Sequence, residues 1–184
     1  MAGDEGLRAL LDAYEARDER EASDVRRLAA AIDSVDLWSR SSPLHVTGSA
    51  LILHPPTRRV LLRWHTRMHA WMQVGGHFDP GETDPLVVAR REAEEETGLT
   101  DLVEFGPTGN TPVQIVIVPV PARRGEPAHE HADIRFLLVT ERPDDACPET
   151  REAAVRWVTV ADALSEIEEE NLRELLRRAD ERVA

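Results

Sequence analysis

The chain has 184 residues, enough for one domain with a sizeable core. Its formal charge of −13 and sequence pI of about 5.0 exclude a general nucleic-acid or anionic-membrane surface, though not a small phosphorylated ligand, because a bound cation reverses the local field. Cys147 is the only cysteine, so there is neither an intrachain disulfide nor a cysteine metal cluster; no apolar run is long enough to span a membrane, MAGDEGLRAL lacks a basic region followed by an apolar core, and a cytoplasmic protein is expected.

Residues 1 to about 38 carry helical periodicity. Leu7, Leu10, Leu11 and Tyr14 form one apolar stripe, and Val25, Leu28, Ala29 and Ile32 form another. The pattern predicts a helical hairpin, packed on the domain or on a second subunit of a homodimer. Ser41, Ser42 and Pro43 mark a break. The chain therefore divides into an N-terminal helical extension, 1–42, and a domain, 43–184. His45 to Leu53 reads as a strand, HPPTRR as a turn, and Val60 to Trp64 as a second strand. HTRMHAW, 65–71, follows as a loop, and Trp71 to Val74 is a short strand leading into a glycine loop.

Beyond the glycine loop and the helix after it, Leu102 to Phe105 is a weak strand. Val113 to Val120 is a strong one, in which Pro119 points to an edge or a bulge. Pro121 to Pro127 is a polar loop, Ala132 to Val139 a strand, and Cys147 and Pro148 lie in a further loop. Val155 to Val160 is a last short strand, and Ala161 to Arg182 is helical with a break near Glu168. Mixed strands around one central helix, with helices at both ends, predict an α/β/α sandwich with a mixed sheet.

The stretch from Gly75 to Leu99, GGHFDPGETDPLVVARREAEEETGL, organises the rest. Asp84 suits a helix cap, Pro85 the first helical position and Gly98 the end. At roughly 100° per residue, Glu92 and Glu96 fall one turn apart on one side with Glu95 close by. They share that half of the wheel with Leu86, Val88, Ala89 and Ala93, whereas Val87, Arg90, Arg91 and Glu94 take the other half. A merely solvated acidic face would set its carboxylates opposite the apolar stripe, as Glu94 does. Glu92 and Glu96 sit within the stripe instead. Like charges there raise each other's pKa, and a hard divalent cation such as Mg²⁺, Mn²⁺ or Ca²⁺ would remove the conflict.

This stretch resembles the Nudix box, G-x5-E-x7-R-E-U-x-E-E-x-G-U, where U is a bulky aliphatic residue. Gly76, Glu82, Arg91, Glu92, Glu95, Glu96, Gly98 and Leu99 match it. Eight residues, not seven, separate Glu82 from Arg91, which alters the distance from loop to helix, and Ala93 stands where a larger aliphatic is usual. A looser likeness, to bacterial members with GGH before the box and an H-x-H-x-D-x-R-F strand after it, extends over most of Leu44 to Leu164. The resemblance implies a hydrolase of a nucleoside diphosphate linked to another group, working by water attack on phosphorus with Mg²⁺ or Mn²⁺. It implies Glu92 and Glu96 as main metal ligands and Glu95 as a further ligand or the base. Arg91 would orient the glutamates, and Glu82 would pair with Arg91 or reach metal through water.

His129, His131, Asp133 and Arg135 alternate along their segment and so share one strand face. They suit phosphate, ribose or a second metal, or else form the solvated face of a half-buried hairpin. Two histidines at i, i+2 without a further ligand are a weak zinc signal. His77 either lines the site or caps a turn. Trp71 either stacks on a base or packs in the core, while Trp38, Trp64 and Trp157 read as core. Two other functions compete: a Nudix-like module that binds a nucleotide without cleaving it, which has less need of three glutamates, and a prenyl diphosphate isomerase, which would rely on Cys147 in its distant loop.

Overall fold

In the computed structural model, residues 2–106, 111–123 and 125–183 are described. Strand β1 (Leu44–His54) is the centre of an eight-stranded mixed sheet. Along one edge it pairs antiparallel with β2 (Arg59–His65) and β4 (Val74–His77); along the other it runs parallel to β7 (His129–Val139). β2 extends the sheet to β3 (Ala70–Met72) and β8 (Val155–Thr159), and β7 extends it to β5 (Val103–Glu104) and β6 (Gln114–Val120).

Alternation along β1 feeds two cores. Val46, Ala50 and Ile52 face one cluster, covered by α1 (Ala2–Ala13), α2 (Glu19–Ala31) and α3 (Pro85–Thr97). Leu51 and Leu53 face the other, covered by α4 (Val160–Glu166) and α5 (Glu170–Arg182). Helices on both faces of a mixed sheet make the expected sandwich. None of the described helices is long and apolar enough to cross a membrane.

The N-terminal helices pack on their own domain. Leu7, Leu11, Leu28 and Ile32 are buried in the first cluster, so neither stripe needs a second subunit to cover it. Helix α2 also protects the sheet edge: Glu21 accepts the Ile115 N–H at 3.1 Å and Asp24 that of Ile117 at 3.0 Å. These two N–H groups on β6 would otherwise be an open template for another strand. Pro119 lies on this same edge strand and, among the described residues, is paired on one side only, with Glu130.

Three boundaries differ from the expectation. Helix α2 ends at Ala31, not near residue 38, because Ser34 and Asp36 bond locally to the Ala31 carbonyl and the Trp38 N–H and bend the chain into turns. The expected strand Trp71 to Val74 is two strands, since the chain changes partner from β2 to β1 between Met72 and Val74. Strand β7 begins at His129 rather than Ala132, held by pairing with Leu44 onward on one side and with Val120 on the other. The break in the last helix falls between Glu166 and Glu170.

Candidate active site

Helix α3 is built as its sequence directs. The Asp84 side chain accepts the N–H groups of Leu86 and Val87, Pro85 opens the first turn, and Gly98, at φ 69°, closes the helix by donating to the Glu94 carbonyl. Val88, Ala89 and Ala93 are buried and Val87 is exposed. That orientation turns Glu92 and Glu96 toward β4, into a groove of about 840 Å³. Glycine on the facing strand leaves the carboxylate its place: a Cβ on Gly76 would stand 2.5 Å from the Glu92 carboxyl carbon and push that flexible group aside.

The two carboxylates are held differently. Glu96 is 9% exposed, accepts the Gly75 N–H at 3.1 Å and meets Arg63 Nη1 at 3.1 Å. Burial pushes its pKa up to about 7 against the pull of Arg63, and the nearby Glu92 adds to the rise. Burial also raises Glu92, opposed by a 2.8 Å ion pair with Arg91. Mutual repulsion is thus real, but desolvation is the larger cause.

Arg91 ties the site together. Its Nε and Nη2 each lie 3.0 Å from a Glu82 oxygen, Nη1 reaches Glu92 and Glu95, and Nη2 also donates to the His77 carbonyl at 2.9 Å. The extra residue before the helix leaves the Glu82–Arg91 pair intact. Glu95, its side chain 55% exposed, bonds Arg91 at 3.2 Å.

The expected strand-face row exists but lies on the opposite side of the sheet from α3. His131, Asp133 and Arg135 share a face with His45, Thr47 and Ser49, because β7 and β1 run in register. Asp133 and Arg135 are buried and bonded at 2.6 Å; Asp133 also accepts from Thr47, Ser49 and Gln73, and Arg135 donates to Gln114. This guanidinium is therefore taken up by its own neighbours. A smaller groove of about 210 Å³ opens beside them, with His77 and His131 on its wall. His129 bonds His131 at 3.1 Å. Trp71 lines neither groove: half-buried, it packs against the margin of the second core and edge-on to Trp64, with the Arg156 guanidinium 4.1 Å above its ring.

Several groove residues escaped the sequence reading. Trp38 lines the glutamate groove, its ring 5.1 Å from that of Phe78, and is not a plain core residue. Arg40 and Arg63 bring positive charge. His65, expected as the start of a loop rich in possible ligand groups, instead ends β2 at the rim. Nothing in the spacing of Trp38, Arg40 and Arg63 marks them, since they arrive from a turn and a separate strand. Cys147 is exposed and lines neither groove.

Comparison with known proteins agrees with this architecture. Among solved structures, the E. coli dihydroneopterin triphosphate pyrophosphohydrolase shares 20% identity over 72% of this chain and 92% of its own, with a TM-score of 0.55. A hydrolase of the NUDIX family from Clostridium perfringens shares 24% over 76% and 95%, with a TM-score of 0.56. The C. elegans Ap4A hydrolase shares 22% over 76% and 98%, with a TM-score of 0.54. At such identities the likeness establishes the fold. No curated protein matches the sequence. The family profile of the NUDIX domain covers residues 43–179, most of the chain and all of the box, and on that match the chain belongs to the NUDIX domain family.

Proposed function

We propose that this protein is a metal-dependent hydrolase of a nucleoside diphosphate joined to another group, cleaving the pyrophosphate linkage by attack of water on phosphorus. One observation carries the reading: two buried or half-buried carboxylates, Glu92 and Glu96, line one groove against the Gly75–Gly76 backbone. Family membership supports it, as does the fold shared with a dihydroneopterin triphosphate pyrophosphohydrolase and an Ap4A hydrolase.

The donor set fits a hard divalent cation. Carboxylate oxygens on adjacent helical turns suit Mg²⁺ or Mn²⁺, and the space beside Glu92 is one that any Cβ at Gly76 would fill. Glu92 and Glu96 would hold the ion, with Glu95 as a further ligand or as the base. When bound, the cation supplies charge neutralisation on the phosphoryl oxygens and acidifies water.

The remaining chemistry belongs to the chain. Arg91 is a positioning residue: it fixes Glu82 and Glu92 and anchors β4 through the His77 carbonyl. Arg40 and Arg63 offer planar forks to phosphate oxygens, and Trp38 beside Phe78 offers a ring face to a base. His77 borders the groove. His129, His131, Asp133, Arg135 and Trp71 act from outside it, and this reading gives them no contact with the scissile linkage.

The test is a product-release assay with Mg²⁺ and Mn²⁺ over sugar nucleotides, ADP-ribose, dinucleoside polyphosphates, coenzyme A and nucleoside triphosphates. Turnover of at least one compound, lost in Glu96→Gln, is expected. Nucleotide binding without turnover under either metal would make the protein a binding module instead.

A further inference from the structure

On the far face of β4 from the glutamates, three strands bring four histidines together. His45 and His131 are register partners on β1 and β7, and His77 sits on β4 opposite Thr47. All three point away from α3. Their ring centroids are 4.8 Å apart for His45 and His131, 4.9 Å for His77 and His131, and 5.1 Å for His45 and His77. One ring nitrogen from each lies within 4.8 Å of the other two. We infer that His45, His77 and His131, with His129 as a fourth donor, form a binding site for a borderline divalent cation of the Zn²⁺ type, separate from the carboxylate site.

Hydrogen bonding argues for a cation. His45 Nδ1 is 2.9 Å from the Ser42 carbonyl oxygen, and His129 Nδ1 is 3.0 Å from that of Pro127. A carbonyl only accepts, so each Nδ1 carries the proton and each Nε2 presents a lone pair. This is how a metal-ligating histidine is oriented from behind. His45 is 2% exposed, yet its Nε2 has no hydrogen-bond partner among the described residues. Leaving such an acceptor buried and unmet is unfavourable, and a cation would satisfy it.

The other contacts have the same excess of lone pairs. His131 Nε2 lies 3.1 Å from His129 Nε2 and 3.3 Å from His77 Nε2. One proton on His131 cannot point at both. Tetrahedral ligands at Zn–N distances of 2.0–2.1 Å stand about 3.3 Å from one another, so these separations already suit a shared ion. Imidazole nitrogen favours Zn²⁺ over Mg²⁺ or Mn²⁺, and the two faces of β4 therefore select different metals.

The local environment keeps these rings in the ligand form. Burial, with the neighbouring histidines, lowers His77 to about 4 and His131 to about 3; burial lowers His45 as well. Neutral rings need release no proton to take up an ion near pH 7. Asp133, which faces His131, and Glu126, 4.0 Å from His129, offset part of the added charge, while Arg40 opposes it. A bound ion would clamp β4 to β1 and β7, and so steady the strand whose Gly75 and Gly76 face Glu96 and Glu92.

The inference does not depend on hydrolysis, and its test reads metal alone. Full-length protein, stripped with chelator, is titrated with Co²⁺ and then Zn²⁺ near neutral pH, followed by visible absorption and elemental analysis. One equivalent of Co²⁺ with the strong visible bands of a four-coordinate nitrogen site, displaced by one equivalent of Zn²⁺, is expected. The spectrum should persist in the Glu92→Gln/Glu96→Gln double variant. Co²⁺ affinity should fall at least about 100-fold in His131→Gln and in His77→Gln, since losing even an outer-shell partner costs 10- to 100-fold. Absence of the bands, or bands that survive both histidine variants or vanish in the glutamate variant, would overturn it. If the histidine variants unfold, ¹⁵N NMR of the wild-type ring nitrogens decides: Zn²⁺ must shift those of His45, His77 and His131, and unchanged signals reject the site.

Discussion

Arg91 grips both oxygens of Glu82, at 3.0 Å each, across an interval one residue longer than the family pattern. The helix starts at its Asp84 cap all the same, and its glutamates face the glycine strand, Glu92 beside Gly76 and Glu96 bonded to the Gly75 N–H. A bidentate fork cannot be replaced by a point charge. Arg91→Lys is therefore expected to cut kcat more than tenfold while lowering stability by only about 1 kcal/mol, the partly exposed pair being screened by solvent. Steady-state kinetics and urea melts on the same preparations check both halves.

Glu96→Gln should abolish most turnover and stabilise the metal-free protein. Burial raises the Glu96 pKa from 4.5 to about 7 despite Arg63, so folding favours the protonated form. The stability this group contributes is full below about pH 4.5 and is lost as pH rises through about 7. Melts in chelator should accordingly show the variant gaining on the wild type between about pH 5 and 8. A gap that stays constant over that range contradicts the burial argument.

Gly76→Ala probes the close approach of strand and carboxylate. The new Cβ would meet only the far end of the flexible Glu92 side chain, 2.5 Å away, so the fold should survive with a small loss in melting temperature. The displaced carboxylate should raise the Mg²⁺ concentration needed for half-maximal activity at least about tenfold, taking the loss of one aligned charged contact as 1.5–3 kcal/mol. A Mg²⁺ titration of activity measures it.

Stability far from the groove rests on Glu21 and Arg178. Both are buried and bonded at 2.8 and 3.0 Å; the Tyr14 hydroxyl bonds to both, Glu21 also accepts the Ile115 N–H, and Arg178 also donates to the Val113 carbonyl. Burial opposes the Glu21 charge, but the bonds from Arg178 and Tyr14 outweigh it and hold the carboxyl below its ordinary value. Removing one partner leaves an uncompensated charge, so Arg178→Met should destabilise by about 3–5 kcal/mol with kcat unchanged below the melting range. Denaturant unfolding and kinetics at low temperature separate the two effects.

Cys147→Ser should leave activity unaltered, because the thiol lines neither groove. A loss of turnover in that variant would revive the isomerase chemistry.

Legibility in the sequence followed the range of the interactions. The caps of α3, its buried face, the two pairs of flanking helices and the alternation on β7 all depend on residues a few positions apart, and each was readable from spacing. The Glu82–Arg91 pair was foreseen from the box, but whether the extra residue breaks it depends on the turn that absorbs it. Trp71 shows the limit in the other direction: its type suits base stacking, and its strand lays it half-buried against the second core, away from both grooves.

Local pattern alone thus determined the glutamate helix, the alternating face of β7 and the class of fold, because helical and strand periodicities are short-range properties of the backbone. Only tertiary packing decided that Arg63, Arg40 and Trp38 join the glutamates and that the His131 row looks the other way, toward His45 and His77. The reason is that strand pairing sets register across dozens of residues, and a sequence read along one dimension carries no record of which face a distant strand will present.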